Sequence, residues 1–136
     1  MGTEPHVASF FYMTKQVIAP MKTQNSGHVV NISAVVADQP SSGALLAVLS
    51  KSPMPAVSKA LALEFAANNI RFNTVSPGVV STPLHAQDDH TALAKFHPLA
   101  RMGEVSDIVD AILYLQNASF VTGENIRVDG GVHAGR

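Results

Sequence analysis

Lys51 is the first residue of this sequence whose position suggests chemistry. It ends the apolar run AVLSK at residues 47–51, four positions after Ala47. An ammonium group favours the ionised form of a nearby phenol and lowers its pKa, as acid–base catalysis by tyrosine requires. The two tyrosines, Tyr12 and Tyr114, both fall in segments predicted as other helices. The sequence therefore leaves two interpretations open, a functional lysine or an ordinary lysine at a helix end.

A second candidate is the turn SPGVVSTP at residues 76–83. Pro77 fixes the backbone, Gly78 permits close approach to the main chain, and Thr82 offers both a donor and an acceptor. The competing interpretation is a plain turn that ends a strand. His85 and His90 follow in a polar loop, but nothing in the sequence positions either of them as an acid or a base.

Composition excludes several kinds of function. The net charge of -1 does not favour binding to nucleic acid or to an acidic membrane surface, and no apolar run approaches the roughly 20 residues of a membrane span. The six histidines are scattered, and the neighbours Asp88, Asp89 and His90 are typical of a solvated loop, so no metal site is expected. The chain has no cysteines, which excludes disulfides and suits a cytoplasmic location.

Hydrophobic periodicity predicts alternating helices and strands. A helix is expected over residues 5–23, and β-branched runs predict strands at 28–33, 70–76 and 124–131. Between 44 and 68 the chain is almost entirely small or apolar. An interior proline costs a helix about 3 kcal/mol, so Pro53 and Pro55 predict one helix ending near 50–52 and another over about 54–67.

The segment SDIVDAILYLQ at 106–116 predicts the clearest helix. Ser106 is expected to cap it, and its inner stripe is expected to be formed by Ile108, Val109, Ile112 and Leu113. A polar loop with a weak helix is expected over 79–100. Strands separated by helices imply right-handed crossovers and a parallel sheet. Three strands make a small parallel sheet, which is typical of part of a larger fold.

These segments resemble the C-terminal half of the short-chain dehydrogenase/reductase family. The similarity is carried by GHVVNIS at 27–33, NNIRFNTVSPGVVSTP at 68–83, ARMGEVSDIVDAILYL at 100–115 and FVTGENIRVDGG at 120–131. It implies an α/β fold, a partial Rossmann-like doubly wound parallel sheet of about three strands with helices on both faces, and NAD or NADP as cofactor. Residues 1–136 are thus expected to form a single domain without the glycine-rich phosphate-binding half.

The resemblance also assigns the site residues. Lys51, rather than Lys59, matches the lysine that lowers the pKa of the family's catalytic tyrosine and holds the nicotinamide ribose. Ala47 stands at the tyrosine position and Ala34 at the serine position, while His6 stands at that of a structural asparagine. Ser33, one residue before Ala34, is a candidate cofactor contact or a simple strand-end serine.

In the family, the turn after the second of these strands binds the cofactor. Pro77 and Gly78 are expected to lie against the nicotinamide, and the Val80 amide and Thr82 hydroxyl to bind its carboxamide. The resemblance implies a small alcohol or ketone as substrate, and a homo-oligomer without nucleic-acid or membrane partners. Since alanine cannot transfer a proton, an impaired oxidoreductase, a non-catalytic oligomerising subunit and a truncated inactive fragment are the alternatives.

Overall fold

The computed structural model describes residues 4–135, with side chains from residue 7 onward, so the side chain of His6 lies outside the described part. The helices are α1 (Glu4–Gln24), α2 (Leu45–Lys51), α3 (Pro53–Glu64), α4 (His90–Phe96) and α5 (Val105–Asn117), and the strands are β1 (Gly27–Ile32), β2 (Ile70–Pro77) and β3 (Asn125–Val128). The predicted alternation is confirmed. The prolines act as expected, since Pro53 and Pro55 both lie in the first turn of α3.

The three strands form a parallel sheet in the order β1–β2–β3. The N–H of Gly27 donates to Asn69 and that of Ser33 donates to Val75, so the odd-numbered residues of β1 direct their backbone groups toward β2. The even-numbered residues 28–32 therefore direct theirs toward an edge that pairs with no strand of residues 4–135. β1 is an open edge strand, and β2 is the centre of the sheet.

One face of the sheet carries the apolar core under α1 and α3. Phe72 is fully buried, Ile70 and Ala62 are nearly so, and the ring of Phe65 lies 6.0 Å from that of Phe72. Farther along the same face, the packing becomes polar. Ser58 of α3 accepts hydrogen bonds from the Asn31 amide and, at 3.0 Å, from the Thr74 hydroxyl.

The opposite face is covered by α5, which confirms helices on both faces. Arg71 donates to the carbonyls of Leu115, Gln116, Ala118 and Val121 at 2.8–3.1 Å. A guanidinium group at this end satisfies the carbonyls that a helix leaves unpaired at its C-terminus. The β2 strand thus anchors α5 through its own side chains.

Two details predicted for α5 are wrong. Ser106 does not cap the helix: Glu104 precedes the first turn, and the Asp107 carboxylate accepts its N–H at 2.7 Å. Fewer residues of the predicted inner stripe are buried than expected. Val109 and Leu113 are 43% and 53% exposed, whereas Leu115 is fully buried. The apolar stripe of α5 is wider than the surface that three strands can cover.

Candidate functional site

Lys51 is the last residue of α2 and lines a groove of about 440 Å³ beside the open edge of β1. Thr14 of α1, Asn31 of β1 and Met54 of α3 form other parts of its wall. Partial burial lowers the pKa of Lys51, because a desolvated ammonium group is less stable than a solvated one. Among the side chains described at residues 7–135, no carboxylate forms an ion pair with Lys51.

Ser33 lies immediately after β1 and is 3% exposed. Its hydroxyl donates to the backbone carbonyl of Lys51 at 2.8 Å, which ties the end of β1 to the last turn of α2. The proton of the hydroxyl is therefore engaged, and its oxygen keeps the capacity to accept. Ser33 and Lys51 are brought together, and their role toward a cofactor stays a prediction.

The two alanines predicted to stand at the acid–base positions lie in the sequence between Ser33 and Lys51, the two residues in contact. Ala47 is one turn before Lys51 on α2 and is exposed, and Ala34 follows β1 in extended backbone. Neither methyl group can exchange a proton. Tyr12 on α1 and Tyr114 on α5 are 63% and 56% exposed. The structure places both tyrosines outside the Lys51 groove.

The turn after β2 is held in a defined shape. Gly103 donates to the carbonyl of Val79 and accepts from the N–H of Ser81, both at 2.8 Å. In this parallel bridge, the N–H and C=O of Val80 point away from Gly103. Thr82 is half-buried and its carbonyl accepts the N–H of His85 at 3.0 Å. The main chain of Val80 is thus presented as a donor–acceptor pair.

His97 is a residue that sequence reasoning missed. It is 2% exposed, its Nε2 accepts the Val79 N–H at 3.0 Å, and its Nδ1 donates to the Leu93 carbonyl at 2.8 Å. A Cβ on Gly78 would lie 2.7 Å from Nε2, closer than real Cβ contacts. Glycine is therefore required at 78 by space, and His97 joins the turn to α4. No local pattern marks His97 in the sequence, because its partners are 4 and 18 residues away.

The histidines that the sequence singled out lie elsewhere on the surface. His85 Nδ1 is 2.7 Å from a carboxylate oxygen of Asp88, and His90 Nε2 lies 2.7 Å from the carbonyl of His85. Their contacts are with each other and with the loop itself. Among the side chains that the structure describes, residues 7–135, no group of three His, Asp or Glu could hold a metal ion. No helix of this part of the chain is long and apolar enough to cross a membrane.

Comparison with known proteins places this arrangement in a family. The sequence profile described as enoyl-(acyl carrier protein) reductase matches residues 3–133. The 3-oxoacyl-(acyl-carrier-protein) reductase FabG of Thermotoga maritima is 36% identical over 90% of this chain and 52% of its own length. Carbonyl reductase family member 4 of Xenopus laevis is 34% identical over 87% of this chain and 50% of its own length. The chain spans about half the length of these curated relatives.

Solved structures agree with the sequence comparison. A structure described as a betaketoacyl-ACP reductase superposes with a TM-score of 0.87 at 30% identity, covering 98% of this chain and 58% of that chain. ElxO with NADP bound superposes with a TM-score of 0.85 at 24% identity, covering 92% and 54%, and this likeness shows the fold alone. With the profile matched over nearly all its residues, this chain belongs to the short-chain dehydrogenase/reductase family.

Proposed function

We propose that this chain contributes the nicotinamide-binding side of an NAD(P)-linked oxidoreductase acting on small alcohols or ketones. The observation that carries the proposal is the turn at 77–82. Val80 presents a backbone donor and acceptor, Gly78 lets the turn pack against His97, and Thr82 adds a hydroxyl, as an amide-bearing ligand needs. Relatives of the chain are named as reductases and dehydrogenases, and ElxO binds NADP. Residues 1–136 would correspond to the C-terminal half of such a fold.

Ala34 and Ala47 limit the chemistry that the nicotinamide-binding side can perform by itself. Reduction of a ketone needs a hydride and a proton, and Ala47 and Ala34 cannot supply the proton. Lys51 is retained in a groove where burial lowers its pKa, which suits a hydrogen bond to a ribose hydroxyl. We infer that this chain keeps residues able to contact the cofactor but lacks the acid–base residues, so that turnover is slow or absent while nicotinamide binding persists.

Calorimetric titration of the intact chain with NADH and NADPH tests this proposal. Weak binding that falls in Lys51→Ala and Thr82→Ala supports it. Lys59→Ala is the matched control, since Lys59 is exposed on α3 and lines none of the described grooves. Absence of binding to both nucleotides would contradict the proposal, and rapid ketone reduction that Lys51→Ala abolishes would contradict the inferred impairment.

A second candidate is a non-catalytic, cytoplasmic, oligomerising subunit. It is favoured by apolar side chains exposed on α1, α2 and α3, namely Phe11, Met13, Leu45, Leu46 and Leu63, each at least 59% exposed. A surface of this kind is typical of an interface, and we propose a second copy as its occupant. Light scattering is expected to show a dimer or larger species that Leu45→Glu dissociates, and a folded monomer at high concentration would contradict it.

A further inference from the structure

At the far end of β3, a buried carboxylate holds a histidine that no step above uses. His133 Nδ1 lies 2.8 Å from Oδ2 and 3.0 Å from Oδ1 of Asp129. Asp129 also accepts the N–H groups of Gly131 and His133 at 3.0 and 2.9 Å. Its side chain is 2% exposed, whereas that of His133 is 40% exposed. The carboxylate is therefore a fixed anchor, and the ring is its accessible end.

This geometry selects the protonation pattern of the imidazole. A carboxylate accepts hydrogen bonds, so the neutral ring carries its proton on Nδ1 and leaves the lone pair on Nε2. Because Nδ1 is engaged with the buried group, the exposed part of the ring is the Nε2 side. An Asp–His pair in this arrangement orients a base and stabilises the imidazolium that forms when the base takes a proton.

The ring lines a cavity of about 280 Å³ behind the turn at Gly78, together with Leu99 and Arg127. Arg127 donates through Nε to Asp38 at 2.6 Å. Its two terminal nitrogens make no hydrogen bond within the part of the chain whose side chains are described, residues 7–135. The cavity thus combines a base with a guanidinium group able to stabilise an oxyanion, in a space that accepts only a small molecule.

We propose that His133 and Asp129 form a hydrolytic site for small carboxylic esters. Nε2 takes a proton from water while the water oxygen bonds to the acyl carbon, and the carbonyl electrons move to an oxygen near Arg127. When the tetrahedral intermediate collapses, the ester C–O bond breaks and the leaving oxygen receives the proton from Nε2. One ester and one water give one acid and one alcohol, and no redox partner is needed. Asp129 is a positioning residue that holds the ring.

The His133 cavity shares Gly78 and Val79 with the turn proposed to bind nicotinamide, whereas Lys51 lines a different groove along β1. Ester hydrolysis needs no nicotinamide, so an ester assay and a nucleotide titration test the two proposals separately. The chain also contains its own matched control, because His85 is 2.7 Å from Asp88 in a similar pair whose carboxylate is 52% exposed.

Hydrolysis of 4-nitrophenyl acetate by the intact chain, followed by release of nitrophenolate, tests the proposal. His133→Ala is expected to slow it about a hundredfold, the lower end of what general-base catalysis contributes, while His85→Ala leaves it unchanged. A wild-type rate no greater than that of free imidazole at equal concentration, or equal loss in the two alanine variants, overturns the proposal.

Asp129→Asn separates positioning from folding. Its amide would turn an N–H toward Nδ1, move the ring proton to Nε2 and remove the base, so the rate should fall as in His133→Ala. Circular dichroism reports whether this variant folds. A folded variant with the wild-type rate overturns the role of Asp129. If the variant does not fold, nitrogen NMR of the wild-type chain shows which ring nitrogen of His133 carries the proton. A proton on Nε2 overturns the proposal.

Discussion

Two neighbouring strands of the sheet have opposite surroundings. Six of the eight residues of β2 are buried, its side chains pack or bond on both faces, and a strand pairs with each edge. In β1, only Asn31 is buried, and Ile32 is 42% exposed. The difference shows that β2 is the packed centre of the fold. Lys51 and Ser33 lie beside β1, the strand with fewer buried residues and one unpaired edge. A parallel sheet normally covers such an edge.

The largest effect is expected at the centre of β2. Phe72→Ala removes a fully buried ring that contacts Phe65 and should lower the free energy of unfolding by about 3–5 kcal/mol. Urea denaturation measures the change. Phe120→Ala in the loop after α5, where the side chain is fully exposed, is the control and should change stability by less than about 0.5 kcal/mol. Similar decreases in the free energy of unfolding of the two variants would contradict the difference between buried and exposed positions.

The polar layer between α3 and the sheet should have the next largest effect. Ser58→Ala leaves the Asn31 amide and the Thr74 hydroxyl without their shared acceptor, so it should cost about 1–3 kcal/mol. The adjacent, exposed Lys59→Ala provides the comparison in the same denaturation experiment. An unchanged midpoint for Ser58→Ala would mean that the Asn31 amide and the Thr74 hydroxyl find other partners.

The turn after β2 should show a smaller and more local effect. His97→Ala removes the acceptor of the Val79 N–H, a hydrogen bond whose net contribution is about 1 kcal/mol. We expect faster hydrogen exchange at the Val79 amide and about fivefold weaker nicotinamide binding. His90→Ala, at the exposed first residue of α4, is the control. Unchanged exchange at Val79 would contradict a positioning role for His97.

The smallest effect is a pH dependence at the amino end of β1. His28 contacts Gln116 at 2.8 Å and Asn73 at 3.0 Å, and burial is the main reason that its pKa lies below the usual 6.5. The unfolded chain therefore binds the proton more readily than the folded one. The contribution of neutral His28 to the free energy of unfolding should be complete above about pH 6.5. It should decrease as the pH falls toward the lower pKa of His28 in the folded chain.

Denaturation of the wild type and of His28→Gln between pH 8 and pH 5 measures this contribution. The difference in free energy of unfolding between them should shrink as the pH falls. A difference that stays constant over this range would show that His28 titrates alike in the folded and unfolded chains.

Local sequence patterns predicted most elements of the fold. The β-branched runs, the spacing of apolar residues in α1 and the paired prolines before α3 are properties of short segments, so periodicity and backbone sterics suffice to predict them. The same patterns failed at Val109 and Leu113, because an apolar stripe does not tell which part of it a neighbour will cover. The cap at Glu104 was missed because Ser106 was the stronger local signal.

The residues with the most specific geometry could be found only in the folded chain. His97 meets the Val79 N–H across 18 positions, and Arg127 meets Asp38 across 89. Asp129 and His133 are close in sequence, yet it is packing that buries the carboxylate and leaves the ring accessible. Residue type and local spacing determined the helices and strands. They also showed that no tyrosine stands one helical turn before Lys51. Burial and long-range contacts decided which side chains face a cavity, because both depend on elements that the chain brings together only on folding.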